Sequence, residues 1–420
     1  MSAIRTLAGD TIVYGLSTIL TRMLNYLMVP YLTRVMATGE YGVVTDLYSL
    51  IPFALVLLTM GLESGYFRFA GKAENEEEKR KLFATLWGTT LLAAAAFGIL
   101  AALFGRPAAE VLGYGDTPSL VWLTGVIVAL DVAAAMPFAR LREQRRRMRY
   151  VGVRLASVVV NLALCLVFYS VQQRTGAQWV LVANVAASAV SMLLLVPTVR
   201  IAIPRIDRPT LQRVMVYSLP LLVSGVAGTA GEFIDRQMIK WLMPPDVAMG
   251  ALGVYGATTK LAVIMILFTQ MYRLAAEPFF LARFAKGDFA RQSALAMRLY
   301  IVVAALIFAA VMLARPLVVQ IVGEEFRGGS RLLPVLLAAN ALAGVVLNLS
   351  FWYKRAERTW MAIAVTGTGM AVAVALNVAL VPRMGYEGAA WARLACEAAM
   401  VAVSVSLVTK LKRQYADKGD

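Results

Sequence analysis

The stretch FATLWGTTLLAAAAFGILAALF, residues 83–104, has 22 consecutive residues and no charged side chain. A helix needs about 20 mostly apolar residues to cross the hydrocarbon core of a bilayer. The whole chain has the same character, because 60% of its 420 residues are hydrophobic and only 16% are charged. This composition predicts an all-α integral membrane protein, and it excludes a cytosolic enzyme, a disordered chain and a secreted disulfide scaffold.

Apolar runs separated by helix breakers and charge clusters predict twelve membrane spans joined by short loops. Their approximate limits are 11–35, 41–70, 83–104, 117–139, 150–171, 178–199, 211–242, 250–281, 294–314, 331–353, 359–381 and 387–409. The first apolar run is too long for the h-region of a cleavable signal peptide, so we expect the N-terminus to be retained.

The Lys and Arg residues of the loops lie mostly on one side of the predicted membrane. The segments 72–82, 138–149, 200–213 and the tail from Lys410 are rich in them. Loops with excess Lys and Arg stay in the cytoplasm, so both termini are predicted to be cytoplasmic. The formal net charge of +16 is interpreted as this topology signal and as contact with anionic phospholipids. We expect no nucleic-acid binding, because no sizeable soluble domain is present to carry it.

Short motifs of the first six spans recur in the same order in the last six. Asn161-Leu-Ala-Leu164 resembles Asn377-Val-Ala-Leu380, and Gly176-Ala-Gln-Trp179 resembles Gly388-Ala-Ala-Trp391. Since six is an even number, both halves start from the same side of the membrane and form a parallel repeat. The predicted fold is therefore two pseudo-symmetric six-helix bundles with a cavity between them, an arrangement that suits alternating access.

This repeat predicts three parts of the chain. They are an N-terminal six-helix lobe over 1–200, a cytoplasmic linker over 201–213 and a C-terminal six-helix lobe over 214–420. The prolines Pro204 and Pro209 make the linker stiff, and its arginines make it basic.

Ionisable groups inside the predicted spans are the first candidates for function, because each costs about 2.5–3.5 kcal/mol on insertion scales. Arg22 lies near the middle of the first span, with Asn25 and Tyr26 on the same helical face. It is too far from either end to snorkel, so we expect it to line a polar cavity. Glu63 in the second span has only the poorly spaced Arg68 on its own helix, which makes it a candidate for titration.

The seventh span is the most polar. Glu232, Arg236 and Lys240 follow one another at helical spacing, with Asp235 alongside. Two interpretations stay open: an intrahelical ladder of ion pairs, or one wall of the cavity. A ladder that faces the cavity satisfies both.

In the eighth span, Gln270, Arg273 and Glu277 share one face, whereas Lys260 points well away from Arg273. Arg273 and Glu277 are spaced to pair with each other. Lys260 is predicted to lie at the depth of Asp235, which allows a bridge between the seventh and eighth spans.

Three further charged residues carry less functional weight at the level of sequence. Arg393 and Glu397 in the twelfth span are interpreted as an ordinary i, i+4 ion pair. Asp131 in the fourth span has no partner in the sequence around it.

Arginine and lysine in a membrane cavity suit an anionic substrate, because the guanidinium fork matches phosphate oxygens. The chain contains no histidine, so any ion coupling depends on Asp or Glu. No Gly-rich nucleotide loop is present, and no metal or organic cofactor is predicted. A membrane-embedded glycan polymerase or glycosyltransferase is the enzymatic alternative, but the longest outer stretch, Arg315–Arg331, has few groups suited to catalysis.

Several motifs spread along the chain carry a family resemblance. They are Leu7-Ala-Gly-Asp-Thr-Ile-Val-Tyr-Gly-Leu16, Arg22-Met-Leu-Asn-Tyr-Leu27, Glu40-Tyr-Gly-Val43, Glu232-Phe-Ile-Asp-Arg236, Gly253-Val-Tyr-Gly256, Arg273-Leu-Ala-Ala-Glu-Pro278 and Asn348-Leu-Ser-Phe-Trp-Tyr-Lys354. Together they resemble polysaccharide (O-antigen type) flippases of the multidrug/oligosaccharidyl-lipid/polysaccharide exporter superfamily, whose fold is shared with the MATE transporters.

The resemblance implies a bacterial inner-membrane transporter and not an enzyme. Such proteins move undecaprenyl-pyrophosphate-linked oligosaccharides from the cytoplasmic to the periplasmic leaflet by alternating access, coupled to H⁺ or Na⁺. It also implies glycan polymerases and glycosyltransferases as partners. The residues implied to contact substrate are Arg22, Asn25, Tyr26, Arg236, Lys260, Gln270 and Arg273. Those implied to balance charge or couple to ions are Glu63, Glu232, Asp235 and Glu277.

One feature departs from the family pattern. Relatives of this type usually have fourteen spans, whereas this chain is predicted to have twelve, the number found in the multidrug exporters of the same superfamily. A MATE-type drug/cation antiporter is therefore the alternative function. The cationic side chains of the predicted cavity argue against it, because exporters of cationic drugs need acidic pockets.

Overall fold

The structure is a computed structural model that describes residue 26 and residues 28–199, 203–281, 284 and 288–416. Residues 28–35 are helical. The helices that follow are α1 Thr38–Thr59, α2 Leu62–Ala70, α3 Glu76–Val111, α4 Ser119–Glu143, α5 Arg147–Leu166, α6 Gln178–Val199, α7 Arg208–Leu242, α8 Pro245–Leu261, α9 Val263–Leu281, α10 Phe289–Leu313, α11 Arg315–Val319, α12 Leu333–Arg355, α13 Thr359–Met384 and α14 Tyr386–Ala416. A π-helical turn, Val167–Val171, ends α5, and a 3₁₀ helix, Glu324–Leu332, precedes α12.

Every predicted span from the second to the twelfth coincides with a helix or a pair of helices. Within the described residues, nine helices are long and apolar enough to cross a membrane, and the bent pair α8–α9 makes a tenth if it is one span. The polar α7 is not among them, although it is helical throughout. The predicted all-α membrane fold is confirmed, and most of the first predicted span lies outside the described residues.

The helices extend beyond the apolar runs where the sequence caps them. The side-chain oxygen of Asn75 accepts a hydrogen bond from the Glu78 backbone N–H at 2.8 Å, so α3 starts seven residues before the predicted limit of 83. The acidic first turn of α3 favours this start, because carboxylates near a helix N-terminus are stabilised by the helix dipole.

Two predicted spans are broken. The second is interrupted between α1 and α2, where Met60 and Gly61 have φ angles of 51° and 66°. A Cβ at Gly61 would lie 2.9 Å from the Ser218 carbonyl oxygen, so the position also demands a glycine for close approach. The eighth span bends by 48° between α8 and α9. Asn340 of α12 donates to the Ala262 carbonyl at this break at 3.4 Å, which satisfies a group that the bend exposes.

The two halves of the chain repeat one packing pattern. In the N-terminal half, α3 packs on α4, while α4 and α5 both pack on α6. In the C-terminal half, α10 packs on α12, while α12 and α13 both pack on α14. The same order of contacts at equivalent spans agrees with the parallel repeat predicted from the sequence motifs.

The described residues form two compact units. One contains residues 28 and 46–229, and the other contains 29–45 and 230–416. Both α1 and α7 therefore contribute to each unit. The division predicted from the repeat is a different one, into two lobes and a linker over 1–200, 201–213 and 214–420. It describes which parts move against each other during transport, and it stays a prediction.

Small residues bring the last two helices together in the second unit. A Cβ at Gly388 would lie 2.6 Å from the Leu380 carbonyl group, so only glycine allows this approach of α14 to the end of α13. Ala389, Ala390 and Ala392 follow in α14 and are fully buried. This contact fixes how side chains of α13 and α14 meet deeper in the unit.

Candidate functional site

A buried group of polar and charged side chains lies in the second unit. Asp235 on α7 is only 3% exposed. Its Oδ2 atom accepts hydrogen bonds from the Arg393 guanidinium at 3.4 Å and from the Tyr255 hydroxyl at 3.5 Å, and its Oδ1 accepts from the Asn377 amide at 3.2 Å. Glu397 lies one helical turn after Arg393 on α14. We name Asp235, Tyr255, Asn377, Arg393 and Glu397 the Asp235 cluster.

Two oxygen atoms of the cluster lack hydrogen-bond partners among the described residues. They are Oε2 of Glu397, whose residue is 9% exposed, and Oδ1 of Asn377, whose residue is fully buried. A buried acceptor without a donor costs free energy. The cluster holds two carboxylates and one guanidinium, so its carboxylates exceed its cations by one.

The cluster is assembled from four helices. Asp235 comes from the polar α7, Tyr255 from the buried face of α8, Asn377 from α13, and the other two from α14. Arg393 and Glu397 lie on one face of α14 because they are four residues apart. The tight α13–α14 contact at Gly388 places Asn377 beside them.

Two further cations of α7 are buried. Arg236 is 9% exposed and Lys240 is 6% exposed. The Arg236 guanidinium is close enough to the Tyr41 hydroxyl for its charge to act on that group. The Lys240 ammonium lies 5.2 Å from the centre of the Trp241 ring. Both belong to the second unit, so α7 brings cations as well as Asp235 into its interior.

The predicted site residues of α8 and α9 are more exposed than Asp235. Arg273 pairs with Glu277 at 3.6 Å, as their spacing predicts, and Glu277 also pairs with Lys354 of α12 at 2.8 Å. The Arg273 side chain is 61% exposed. Lys260 is exposed and Gln270 is half-buried. Arg273 and Glu277 thus form one surface group, separate from the Asp235 cluster.

One expectation about ion pairs is corrected, and another is extended. The ion partner of Asp235 is Arg393, and not Lys260 as the common depth of the two spans suggested. Arg393 forms an ion pair with Asp235, 158 positions away, in addition to the local charge interaction with Glu397 that its spacing predicted. Spacing along one helix reveals local pairs only, so sequence reasoning missed Arg393 and Glu397 as members of a tertiary cluster.

Part of the predicted site lies outside the described residues. This applies to Arg22 and Asn25 and to the side chain of Glu232, whose backbone is part of α7. Tyr26 is helical and half-buried.

Glu63 has a partner that its own helix did not reveal. It begins the short α2 and forms an ion pair with Arg142 at the end of α4. Next to it, Lys79 pairs with Glu143 at 3.7 Å. The Glu63 side chain is 42% exposed, so this residue belongs to a solvent-facing ion-pair group of the first unit.

The predicted linker is tied to the start of α3. Asp207 pairs with Lys81 at 3.2 Å and accepts a hydrogen bond from the Thr210 backbone N–H at 3.1 Å. The hydrogen bonds from Thr210 and Lys81 hold the pKa of the Asp207 carboxyl below its usual value. Asp207 therefore caps the N-terminus of α7 as a carboxylate.

The first unit also has polar side chains within its apolar helices. Neutral amide and hydroxyl groups provide the hydrogen bonds of Tyr48 and Asp131 there. The Tyr48 hydroxyl accepts a hydrogen bond from Asn184 at 3.1 Å and is also bonded to Asn161. Asp131, which lacked a partner in the sequence, accepts a hydrogen bond from the Ser188 hydroxyl at 2.8 Å. Among the described residues, no cluster of three or more Cys, Asp or Glu side chains is arranged to hold a metal ion.

Among the described residues, nine helices are long and apolar enough to cross a membrane, which defines a polytopic membrane protein in class. Residues 7–283 match the family described as polysaccharide biosynthesis protein. Because this match covers more than half of the sequence, the chain belongs to that family. No curated protein sequence is similar enough to this chain to add a closer assignment.

Solved structures of transporters share the fold. The structure of lipid II flippase MurJ in an inward closed conformation has a TM-score of 0.76 at 12% identity, over 95% of this chain and 87% of that one. An inward-facing multidrug resistance MATE transporter of the MOP superfamily has a TM-score of 0.69 at 13% identity, over 92% and 98% of the two chains. The MATE transporter DinF-BH has a TM-score of 0.68 at 15% identity, over 97% and 95%.

These likenesses confirm the MATE-like fold class, and the family match of residues 7–283 supports the resemblance to polysaccharide flippases. Those solved structures are of transporters and a flippase.

Proposed function

We propose that this chain is a flippase for undecaprenyl-pyrophosphate-linked oligosaccharide repeat units, moving them from the cytoplasmic to the periplasmic leaflet. The observation that carries the proposal is the match of residues 7–283 to the polysaccharide biosynthesis family. A lipid-linked substrate agrees with the shared fold of a lipid II flippase.

The cations of the C-terminal half support an anionic head group as substrate. Arg273 is well exposed, and its pairing with Glu277 through Nε leaves the terminal N–H groups of the fork for phosphate oxygens. We assign substrate contact to Arg22, Asn25, Tyr26, Arg236, Lys260, Gln270 and Arg273. Arg236 is buried here, so its contact requires a different conformational state.

We propose that ion coupling depends on the Asp235 cluster. Burying carboxylates and an arginine inside a membrane protein is costly and is retained mainly where charge movement is useful. The sequence predicted that Asp235 couples transport to an ion gradient, and the surroundings of Asp235 support this role. The coupling roles of Glu63, Glu232 and Glu277 stay predictions, as does alternating access of the two predicted lobes.

The proposed location is the bacterial inner membrane with both termini in the cytoplasm. The basic predicted loops support this orientation and contact with anionic phospholipids. Glycosyltransferases that build the repeat unit and a polymerase that consumes it are the expected partners. A C-terminal fusion to a reporter that is active only in the cytoplasm tests the orientation, and an inactive reporter would reverse it.

A vesicle assay tests the transport function. Purified protein is reconstituted with a fluorescent undecaprenyl-pyrophosphate oligosaccharide, and a membrane-impermeant reductant bleaches only the outer leaflet. We expect complete bleaching with active protein and about half without it. Arg273→Ala should abolish flipping, whereas Arg298→Ala, which changes another exposed arginine of the same half, should not. Bleaching of only half the probe by the wild type would refute the proposal.

The multidrug transporters that share the fold support a second candidate, a drug/cation antiporter. The same vesicles, loaded with a cationic fluorescent dye under an imposed ion gradient, separate the two. Dye transport without oligosaccharide flipping would favour the antiporter.

A further inference from the structure

Glu397 carries the negative charge that the Asp235 cluster leaves uncompensated. Asp235 has a cation and two further donors, from Arg393, Asn377 and Tyr255. Glu397 is buried, and its Oε2 has no hydrogen-bond partner among the described residues. An isolated buried carboxylate is costly, and a single bound proton removes that cost.

The groups around Glu397 come from several helices. Arg393 and Cys396 lie on its own helix, Asp235 faces it from α7, and Tyr300 of α10 is near enough to interact with its charge. Among the described residues, α12 and α13 present no charged group to it, and α13 contributes the neutral Asn377. Arg393 is therefore the cation that acts on both carboxylates, and Arg236 adds a second positive charge near Asp235.

The donor set does not suit Na⁺. A hard cation needs several oxygen ligands around one point. Such oxygens are present on Asp235, Asn377 and Glu397, but the Arg393 guanidinium lies 3.4 Å from Asp235 Oδ2. This fixed positive charge occupies the place of a counter-ion and repels a second cation. A proton on Glu397 needs only one oxygen and leaves the Asp235–Arg393 pair intact.

We propose that Glu397 is the carrier of the coupling proton and that Arg393 acts as a tethered cation that selects H⁺ over Na⁺. This inference rests on the proposed function as an ion-driven flippase. In the step, Glu397 Oε2 takes H⁺ from water on the periplasmic side, and an O–H bond forms. The same bond breaks when the proton leaves to water on the cytoplasmic side, so no other reactant is required.

Infrared spectroscopy of the purified wild-type chain tests the proton site without any substrate. We expect the wild-type spectrum to contain, as pH is lowered, a protonated-carboxyl component that is missing in Glu397→Gln, in addition to the bands that the exposed carboxyl groups give in both proteins. Asp131→Asn is the matched control, because it makes the same chemical change at a half-buried carboxyl that already has a hydroxyl donor. Carboxyl spectra of the wild type and Glu397→Gln that are identical at every pH would overturn the assignment.

Transport in the reconstituted vesicles tests ion selection. With the fluorescent undecaprenyl-pyrophosphate oligosaccharide, we expect an inward proton gradient to raise the wild-type flipping rate at least several-fold and a Na⁺ gradient at constant pH to leave it unchanged. Glu397→Gln should lose the response to the proton gradient, and Glu397→Asp should retain part of it. Stimulation by Na⁺ alone would overturn the proposal.

The two measurements separate failure of this inference from failure of the proposed function. If the wild-type chain flips no oligosaccharide but shows a band that Glu397→Gln removes, the substrate assignment fails and the proton site stands. If it flips the probe while Glu397→Gln keeps both the band and the gradient response, the substrate assignment stands and the role of Glu397 fails.

Discussion

Asn161 and Asn377 occupy equivalent places in the two halves of the sequence repeat, yet their surroundings differ in charge. Asn161 on α5 is bonded to the neutral Tyr48 hydroxyl, which also accepts from Asn184. Asn377 on α13 donates to the carboxylate of Asp235, which is paired with Arg393.

Both halves of the repeat thus have an asparagine at this position. Asn377 contacts an ion-paired carboxylate, whereas Asn161 contacts a neutral hydroxyl. Neutral amide and hydroxyl groups can satisfy one another within the membrane at modest cost. Charges at the same depth are expensive. The first unit also buries Asp46 and Arg140, but the ion pair of Asp235 and Arg393 lies beside Asn377.

The largest expected effect on stability comes from removing Asp235, the carboxylate next to Asn377 in the C-terminal half. Asp235→Ala leaves the Arg393 guanidinium buried without its carboxylate, so we expect the free energy of unfolding to fall by about 3–5 kcal/mol. Chemical denaturation in detergent measures it. The double variant Asp235→Ala/Arg393→Met should recover most of the loss, because it leaves no unpaired charge. A loss below about 1 kcal/mol in the single variant would mean that the pair is not buried.

A smaller effect is expected at the neutral copy. Asn161→Ala removes hydrogen-bonding groups from Tyr48 and Cys165 without leaving a bare charge, so about 1–3 kcal/mol should be lost. In reconstituted vesicles its response to a proton gradient should equal that of the wild type. Loss of that response would show that the neutral copy also takes part in coupling.

Glu63 offers a third test, at an exposed pair. Glu63→Gln breaks the ion pair with Arg142, and because the Glu63 side chain is 42% exposed, the expected loss is about 0–1 kcal/mol. Thermal unfolding at low and high salt checks it, since the wild-type advantage should shrink as salt screens the pair. An advantage that is insensitive to salt would contradict an exposed pair.

The smallest effect is expected at Asp207. Its folded-state pKa is lowered, so its carboxylate stabilises the folded chain above its usual pKa, and this contribution is lost as pH falls through the lowered value. Asp207→Asn should therefore be slightly less stable than the wild type near neutral pH and equal to it at strongly acidic pH. A difference that grows with acidification would have the wrong sign.

The sequence was a good guide to the spans and to local ion pairs. Uncharged runs such as residues 83–104 predicted helices, and the spacing of Arg273 and Glu277 predicted their contact. It was a poor guide to distant pairs. Glu63 meets Arg142, and Asp235 meets Arg393, across separations that no helical periodicity reports. Lys260 was paired with Asp235 by depth alone, and depth does not specify the direction of a side chain.

The sequence by itself determined that this chain is a helical membrane protein, where most of its helices lie and that its halves repeat. Those properties follow from burial of apolar residues in lipid, which each segment meets independently. The tertiary structure decided which charges neutralise one another, because that depends on the angles at which helices cross. The close contact at Gly388 brings α13 and α14 together, and in the folded chain Glu397 Oε2 has no hydrogen-bond partner among the described residues.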